Sequence, residues 1–280
     1  MKTILVPTDF SNAATNAAEY AVNLAKEMNA KVLLFHAYQM PIPISEVPIM
    51  IITPDELQKE NETFLKKEAI SLNQKSGVEV TYLAKMGMAV DQIIEEEKNV
   101  NLIVMGMKGA SKLSEVLIGS VTTETLRRAK TPVLVIPEKV TYKTPENIVL
   151  ACDYDPRTDV NILNVLKDFL KPFGSRIYVI NAKHQNEPVS VDETKVGIQL
   201  EKELNDIEHF NYFLELDDIV SGINDFVESH NIDMIAIIPH RYSLMERLFH
   251  KSISKEMAFH THVPLFALPD NHKGVPAYFL

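Results

Sequence analysis

At 280 residues the chain is too long for one ordinary small domain and about right for two of some 140 residues each. Its composition, 46% hydrophobic and 24% charged, suits buried cores and excludes disordered, collagen-like and disulfide-scaffold classes. The 28 basic and 38 acidic residues leave a net charge of −10, which argues against a general binder of nucleic acid or anionic membrane, and the single Cys152 asks for no oxidising compartment.

Met1-Lys2-Thr3 leads directly into an apolar run with no signal-peptide h-region, so a cytoplasmic protein is expected. Residues 4–6 read as a strand buried on both faces, as parallel sheets require, and residues 12–28 as a helix that Asn29 can end. Residues 32–35 form the next strand. The longest nearly apolar stretch, residues 40–52, is broken by Pro41, Pro43, Ser45, Glu46 and Pro48 and is no membrane span. Its Ile42, Ile44, Val47, Ile49, Met50, Ile51 and Ile52 are expected to cover the other domain or a partner chain. Residues 54–76 read as a helix with Thr53 as N-cap, Pro54 in the first turn and Gly77 as a left-handed cap. A weaker strand at 78–83 and a helix at 90–98 follow, and Glu95-Glu96-Glu97 at that helix end reads as a solvated charged face. Residues 102–105 are a buried strand, 121–129 a helix whose Arg127 and Arg128 offset its negative end, and 133–136 a last strand. This alternation, with right-handed crossovers, builds a doubly wound, five-stranded parallel α/β domain.

The chain then repeats itself. The run from Thr3 to Phe10 aligns with that from Asn147 to Tyr154 at an offset of 144, and Ala30 to Ala37 with Ser175 to Ala182 at 145. Asn101-Leu-Ile-Val-Met aligns with Asp233-Met-Ile-Ala-Ile, and Thr131-Pro-Val-Leu-Val-Ile-Pro137 with Val263-Pro-Leu-Phe-Ala-Leu-Pro269, both at 132. The change of offset places a deletion of about a dozen residues after the second strand of repeat two, where the loop around 183–194 stands for residues 40–52. The reading is two tandem Rossmann-like domains, 1–138 and 147–270, with a linker at 139–146 and a tail at 271–280 whose Ala277-Tyr-Phe-Leu280 is either docked or a short disordered end.

Ligands of such sheets bind beyond the carboxyl ends of the strands where strand order reverses, which here means after the first and fourth strands. Pro7-Thr8-Asp9-Phe10-Ser11 follows the first. Gly106-Met107-Lys108-Gly109 follows the fourth and runs on to Gly119-Ser120-Val121, so three of the chain's nine glycines stand within fifteen residues. Gly106 and Gly109 would let the backbone turn and approach a ligand closely. Gly119 opens the next helix, and free N–H groups there, with the Ser120 hydroxyl and with Lys108 and Lys112 nearby, suit phosphates. Asp9 reads as a ligand or loop carboxylate, since no Ser-His-Asp or paired-carboxylate arrangement accompanies it. His36 ends a strand in the ligand zone, with a backbone role favoured over an imidazole one. Cys152 reads as a small buried filler. His240, His250, His260 and His262 lack the company of a metal motif and read as surface histidines.

At the Gly-x2-Gly-x9-Gly-Ser spacing, the chain resembles the universal stress protein family over nearly all of both halves. The resemblance includes the opening Ile-Leu-Val-Pro-Thr-Asp-Phe-Ser, the strand Asn-Leu-Ile-Val-Met-Gly and the ending Thr-Pro-Val-Leu-Val-Ile-Pro. It implies the adenine-nucleotide α-hydrolase-like fold and ATP binding in members with the motif. Asp9 would lie near the adenosine, His36 and Ala37 beside adenine or ribose, and Gly106, Gly109, Gly119 and Ser120 around the phosphates. It also implies pairing through last strands, so that Val133–Ile136 would face residues 265–268 as a dimer-like pair within one chain; a further homodimer is open. A Mg²⁺ ion would come with the phosphates and not through a protein cage. Repeat two departs from the motif, with Ile238, Arg241 and Lys251 at the glycine positions, Asp153 opposite Asp9 and Ser252 opposite Ser120. Residues 1–139 carry 15 basic and 17 acidic groups, net −2, and residues 140–280 carry 13 and 21, net −8. One nucleotide site per chain, in repeat one, is therefore expected, with no nucleic-acid or membrane partner. A slow nucleotide-hydrolysing or nucleotidyl-transferring enzyme and a nucleotide-free scaffold remain alternatives to an ATP-dependent stress or signalling module.

Overall fold

A computed structural model describes residues 1–40, 53–108, 118–152, 154, 160–183, 190–215, 219–238 and 262–269. The first half runs β1 (Thr3–Pro7), α1 (Asn12–Glu27), β2 (Lys31–Tyr38), α2 (Pro54–Ser76), β3 (Val80–Met86), α3 (Ala89–Glu96), β4 (Leu102–Gly106), α4 (Ser120–Arg128) and β5 (Val133–Ile136). The second runs β6 (Asn147–Ala151), α5 (Leu163–Leu170), β7 (Arg176–Lys183), α6 (Val191–Glu203), β8 (His209–Glu215), α7 (Ile219–Ser229), β9 (Met234–Ile237) and β10 (Leu265–Ala267). Short 3-10 turns at Glu97–Asn99 and Val160–Ile162 adjoin α3 and α5.

Each half forms the five-stranded parallel set expected of it. The two sets merge into one mixed sheet of order β3-β2-β1-β4-β5-β10-β9-β6-β7-β8. Each half is parallel internally, and β5 pairs antiparallel with β10, Leu134 opposite Phe266. Strand order reverses between β1 and β4 in the first half and between β6 and β9 in the second.

Alternation along the central strands feeds two apolar layers. Ile4 and Val6 face α1, α2, α5 and α6, where Leu24, Leu65, Leu166 and Leu200 are buried, while Leu5 and Ile103 face the side of α3, α4 and α7. The alanines of α1 let that helix lie close on the sheet; Ser11 caps its start by accepting the Ala14 N–H, and Asn29 ends it at φ 50°. Thr53 and Glu56 form a reciprocal capping box on α2, Pro54 occupies its first turn, and Gly77 closes it at φ 72°. The dozen missing residues are not confined to one loop. The connection 39–53 shrinks to 184–190, and the 23-residue α2 shrinks to the 13-residue α6.

The Glu95–Glu97 reading is corrected in part. Glu95 is exposed, but Glu96 and Glu97 are 6% and 8% exposed. Glu96 pairs with Lys85 at 2.8 Å and accepts from the Asn99 amide. Burial alone would raise its carboxyl, yet these two donors hold it below the usual range. Glu97 accepts the N–H groups of Lys130 and Thr131, tying the end of α3 to the entry of β5. Arg128 ends α4 as the charge pattern suggested and also pairs with Asp91 at 2.8 Å.

Candidate functional site

A cleft of about 250 Å³, open to solvent, lies at the β1/β4 reversal, where ligands of such sheets bind. Of the residues singled out in the sequence, Pro7, Thr8, Asp9, His36, Ala37, Gly106, Lys108, Gly119, Ser120 and Val121 line it together. Met107 does not: its side chain packs against the apolar layer on the α3/α4 side. Gly109 and Lys112 lie outside the described residues, as do Asp153, His240, Arg241, His250, Lys251, Ser252, His260, the segment 41–52 and the tail.

The wall formed by the β1–α1 turn is held by its own short side chains. The Thr8 N–H donates to the Phe35 carbonyl at 2.8 Å, and the Thr8 hydroxyl accepts the Phe10 N–H at 3.0 Å. Asp9 accepts the Ser11 N–H at 3.1 Å while remaining exposed on the cleft. This turn forces Phe10 into the left-handed region at φ 61°, a conformation that costs an aromatic residue about 1–3 kcal/mol. The His36 ring helps to hold this wall. Its Nδ1–H donates to the Thr8 carbonyl at 2.7 Å, because a carbonyl can only accept, and the ring stands 4.7 Å from that of Phe10.

The opposite wall rests on Gly106, though not by a sharp turn. Gly106 ends β4, and a Cβ there would lie 2.7 Å from the Ala13 carbonyl oxygen of α1. The glycine is needed for close strand-helix packing, which brings the two walls of the cleft together. The Thr122 hydroxyl donates to the Gly106 carbonyl at 2.9 Å, and the Gly119 N–H donates to the Met107 carbonyl at 2.8 Å, closing the connection at its base. Gly119 is the N-cap of α4 at φ −59°, with no side-chain cap bond. Among the described residues no side chain caps the first N–H groups of α4, and the positive end of the helix dipole faces the same space. The neighbouring α3, whose Ala89 also borders the cleft, starts at Met88 without a side-chain cap as well.

Phe35, Ile93, Met105 and Ala14 form an apolar floor, and the buried Thr122 completes the lining. None of these five was singled out in the sequence. A cleft floor has the pattern of core, and only the position of Met105, next to Gly106, hinted otherwise. The arrangement offers an apolar slot, one carboxylate, one ammonium group and a set of open N–H donors, which suits an anionic ligand with a flat apolar part. Among the described residues no group of three or more His, Cys, Asp or Glu stands close enough to hold a metal, and no helix is long and apolar enough to cross a membrane.

Comparison with known proteins bears on the family and the fold. Residues 1–137 match the model of the universal stress protein family. Universal stress protein MJ0531 of Methanocaldococcus jannaschii is 32% identical over 140 residues, 48% of this chain and 81% of that protein. Universal stress protein YxiE of Bacillus subtilis is 28% identical over 143 residues, 48% of this chain and 97% of that protein. The solved structure of a universal stress protein from Archaeoglobus fulgidus aligns with 96% of this chain and 98% of its own, at a TM-score of 0.71 and 20% identity, a likeness of fold.

Proposed function

The chain belongs to the universal stress protein family, and from that premise we propose that its first half binds ATP and works as a nucleotide-dependent binding module in stress response or signalling. The observation that carries this reading is the uncapped start of α4 at Gly119, opening onto a cleft with an apolar floor. The N–H groups of Ser120 and Val121, with Lys108 and the Gly109 segment, would take the phosphates; Asp9 would take the ribose, and the backbone at His36 and Ala37 would border the base. The donor set fits a polyphosphate, whose own oxygens would carry Mg²⁺. Bound ATP would supply charge and contacts that order the cleft walls, and no described cleft residue forms the base-and-acid pair that rapid hydrolysis would need.

On this reading residues 1–138 and 147–270 are the two domains, joined by 139–146, and the β5–β10 ladder makes them a dimer-like pair within one cytoplasmic chain. The second half would hold no nucleotide, because Ile238 stands where Gly106 does. Titration calorimetry tests this: one ATP per chain is expected, two would end the asymmetry, and none would end the proposal. Gly119→Val should abolish binding without unfolding the chain, since φ −59° accepts any side chain. Sustained turnover on the order of 1 per second or more would replace the binding module with an enzyme.

A further inference from the structure

One ring on the cleft has its hydrogen placed by the fold. His36 stands near the end of β2 and borders the cleft. Its Nδ1 lies 2.7 Å from the Thr8 carbonyl oxygen, which can only accept. Nδ1 therefore carries the hydrogen, and in the neutral ring Nε2 carries a lone pair. The Phe10 ring packs against the imidazole with centres 4.7 Å apart, and the Tyr38 ring stacks on it at 6.5 Å. The bond and the two aromatic contacts hold the imidazole in one orientation, with Nε2 directed away from Thr8. No described group bonds to that nitrogen.

The second half shows that holding the turn asks for less than an imidazole. At the 145 offset His36 becomes Asn181, whose amide donates to the Cys152 carbonyl at 3.2 Å as the His36 ring does to Thr8. An asparagine amide reaches as far as Nδ1 and has no atom where Nε2 stands. Asn181 is buried, whereas His36 is half-buried on the cleft. The lone pair at Nε2 thus lies outside the structural duty of this position. It also differs from what the rest of the cleft offers. Lys108 and the N–H groups at the start of α4 suit anionic oxygens, and the floor of Phe35, Ile93 and Met105 suits a flat apolar ring. An acceptor next to Phe35 calls for an N–H on the edge of that ring.

We propose that His36 selects the base: its Nε2 accepts a hydrogen bond from an exocyclic amine, so the cleft takes an amino-purine and rejects the 6-oxo analogue, whose oxygen would meet the lone pair. The inference rests on the nucleotide reading given above. Calorimetry of the full chain with ATP and with inosine triphosphate, which carries oxygen in place of the amine, tests it. The unaltered chain should bind ATP roughly tenfold tighter or more. His36→Asn keeps an N–H for Thr8, as Asn181 does for Cys152. In that variant ATP should weaken about fivefold or more while inosine triphosphate stays within about twofold. Equal weakening of both would make His36 a support of the turn alone, and no change in either would place Nε2 away from the base; each result overturns the proposal. Nitrogen-15 NMR of the His36 ring in the unaltered chain gives a reading that needs no variant. ATP should move the Nε2 resonance and inosine triphosphate should not. An Nε2 resonance unmoved once calorimetry shows ATP bound also overturns the proposal. An unaltered chain that binds neither nucleotide would instead end the ATP reading itself, and this inference with it.

Discussion

The two halves share a backbone and differ in what their first turns are made of. Phe10 and Tyr154 both occupy the left-handed region, at φ 61° and 51°. The hydroxyl that accepts the Phe10 N–H in the first half is replaced by the Cys152 thiol, which accepts the Tyr154 N–H at 3.4 Å. Cys152 is thus a working acceptor as well as a filler. The His36 ring that donates to the Thr8 carbonyl is replaced by the Asn181 amide, which donates to the Cys152 carbonyl at 3.2 Å. A strained turn therefore survives duplication as long as an acceptor and a donor remain at the right places. The described surroundings of the two aromatic rings differ. Tyr154 is buried and its ring lies 3.2 Å from where a Cβ on Gly197 of α6 would be, whereas Phe10 stays 39% exposed. Ile238 is buried in the core at the position of Gly106, and α5 starts at Leu163, later in its repeat than α1 does in the first.

The largest expected effect comes from imposing the second half's residue on the first. Gly106→Ile would drive a Cβ into the Ala13 carbonyl, which cannot yield without moving α1. Overpacking of this kind costs about 1–3 kcal/mol or more, and we expect urea unfolding to show that loss together with loss of ATP binding. A variant that kept both stability and ATP would show that the two halves differ for some other reason. Next comes Glu97, whose carboxylate joins α3 to β5 in the first half; the second half has Val263 at the position of Thr131. Glu97→Ala leaves one buried and one part-buried N–H donor without their acceptor and should cost about 2–3 kcal/mol in the same assay. A loss below about 0.5 kcal/mol would mean that water replaces the carboxylate freely.

The features legible in the sequence were those whose causes are local. Runs such as Leu102–Gly106 and Val133–Ile136 are buried on both faces and betray themselves as parallel strands. Thr53, Pro54 and Gly77 mark their helix because caps act over three or four residues. β3 starts two residues and ends three residues later than the pattern predicts, because Tyr82 is exposed at the sheet edge and the pattern is weak there. Glu96 and Glu97 were misread because Lys85 and Thr131 come to them only through the fold. The glycines pointed to the right cleft, but for Gly106 the physical reason was the approach of α1, which spacing cannot reveal. The conformation of Phe10 left no mark in hydropathy at all, since strain of that kind is set by hydrogen bonds across β1 and β2.

Paired substitutions at the two acceptors sharpen the comparison further. Thr8→Val removes the hydroxyl under Phe10 and should cost about 1 kcal/mol, with weaker ATP binding because the turn carries Asp9. Cys152→Val should cost less, since sulfur is a weak acceptor. Equal losses would mean that packing, and not the hydrogen bond, holds both turns.

The smallest effect at neutral pH separates Phe10 from Tyr154 by their one chemical difference, a phenol. Burial first, then the nearby Cys152 and Glu201, pushes the Tyr154 hydroxyl up from 10 to about 12. Below pH 10 the phenol is neutral in both folded and unfolded chains, so the pH dependence of stability owes nothing to it. Between 10 and about 12 the unfolded chain releases the proton while the folded chain keeps it, and stability falls as pH rises through that window. Tyr154→Phe makes the second half resemble the first at this position and removes that contribution. We expect unchanged urea midpoints for both chains at pH 7 and a shallower alkaline fall for the variant, with Tyr20 and Tyr142, whose hydroxyls burial also raises, contributing equally to both. Parallel curves up to pH 12 would place the Tyr154 hydroxyl in water and contradict its burial against Gly197.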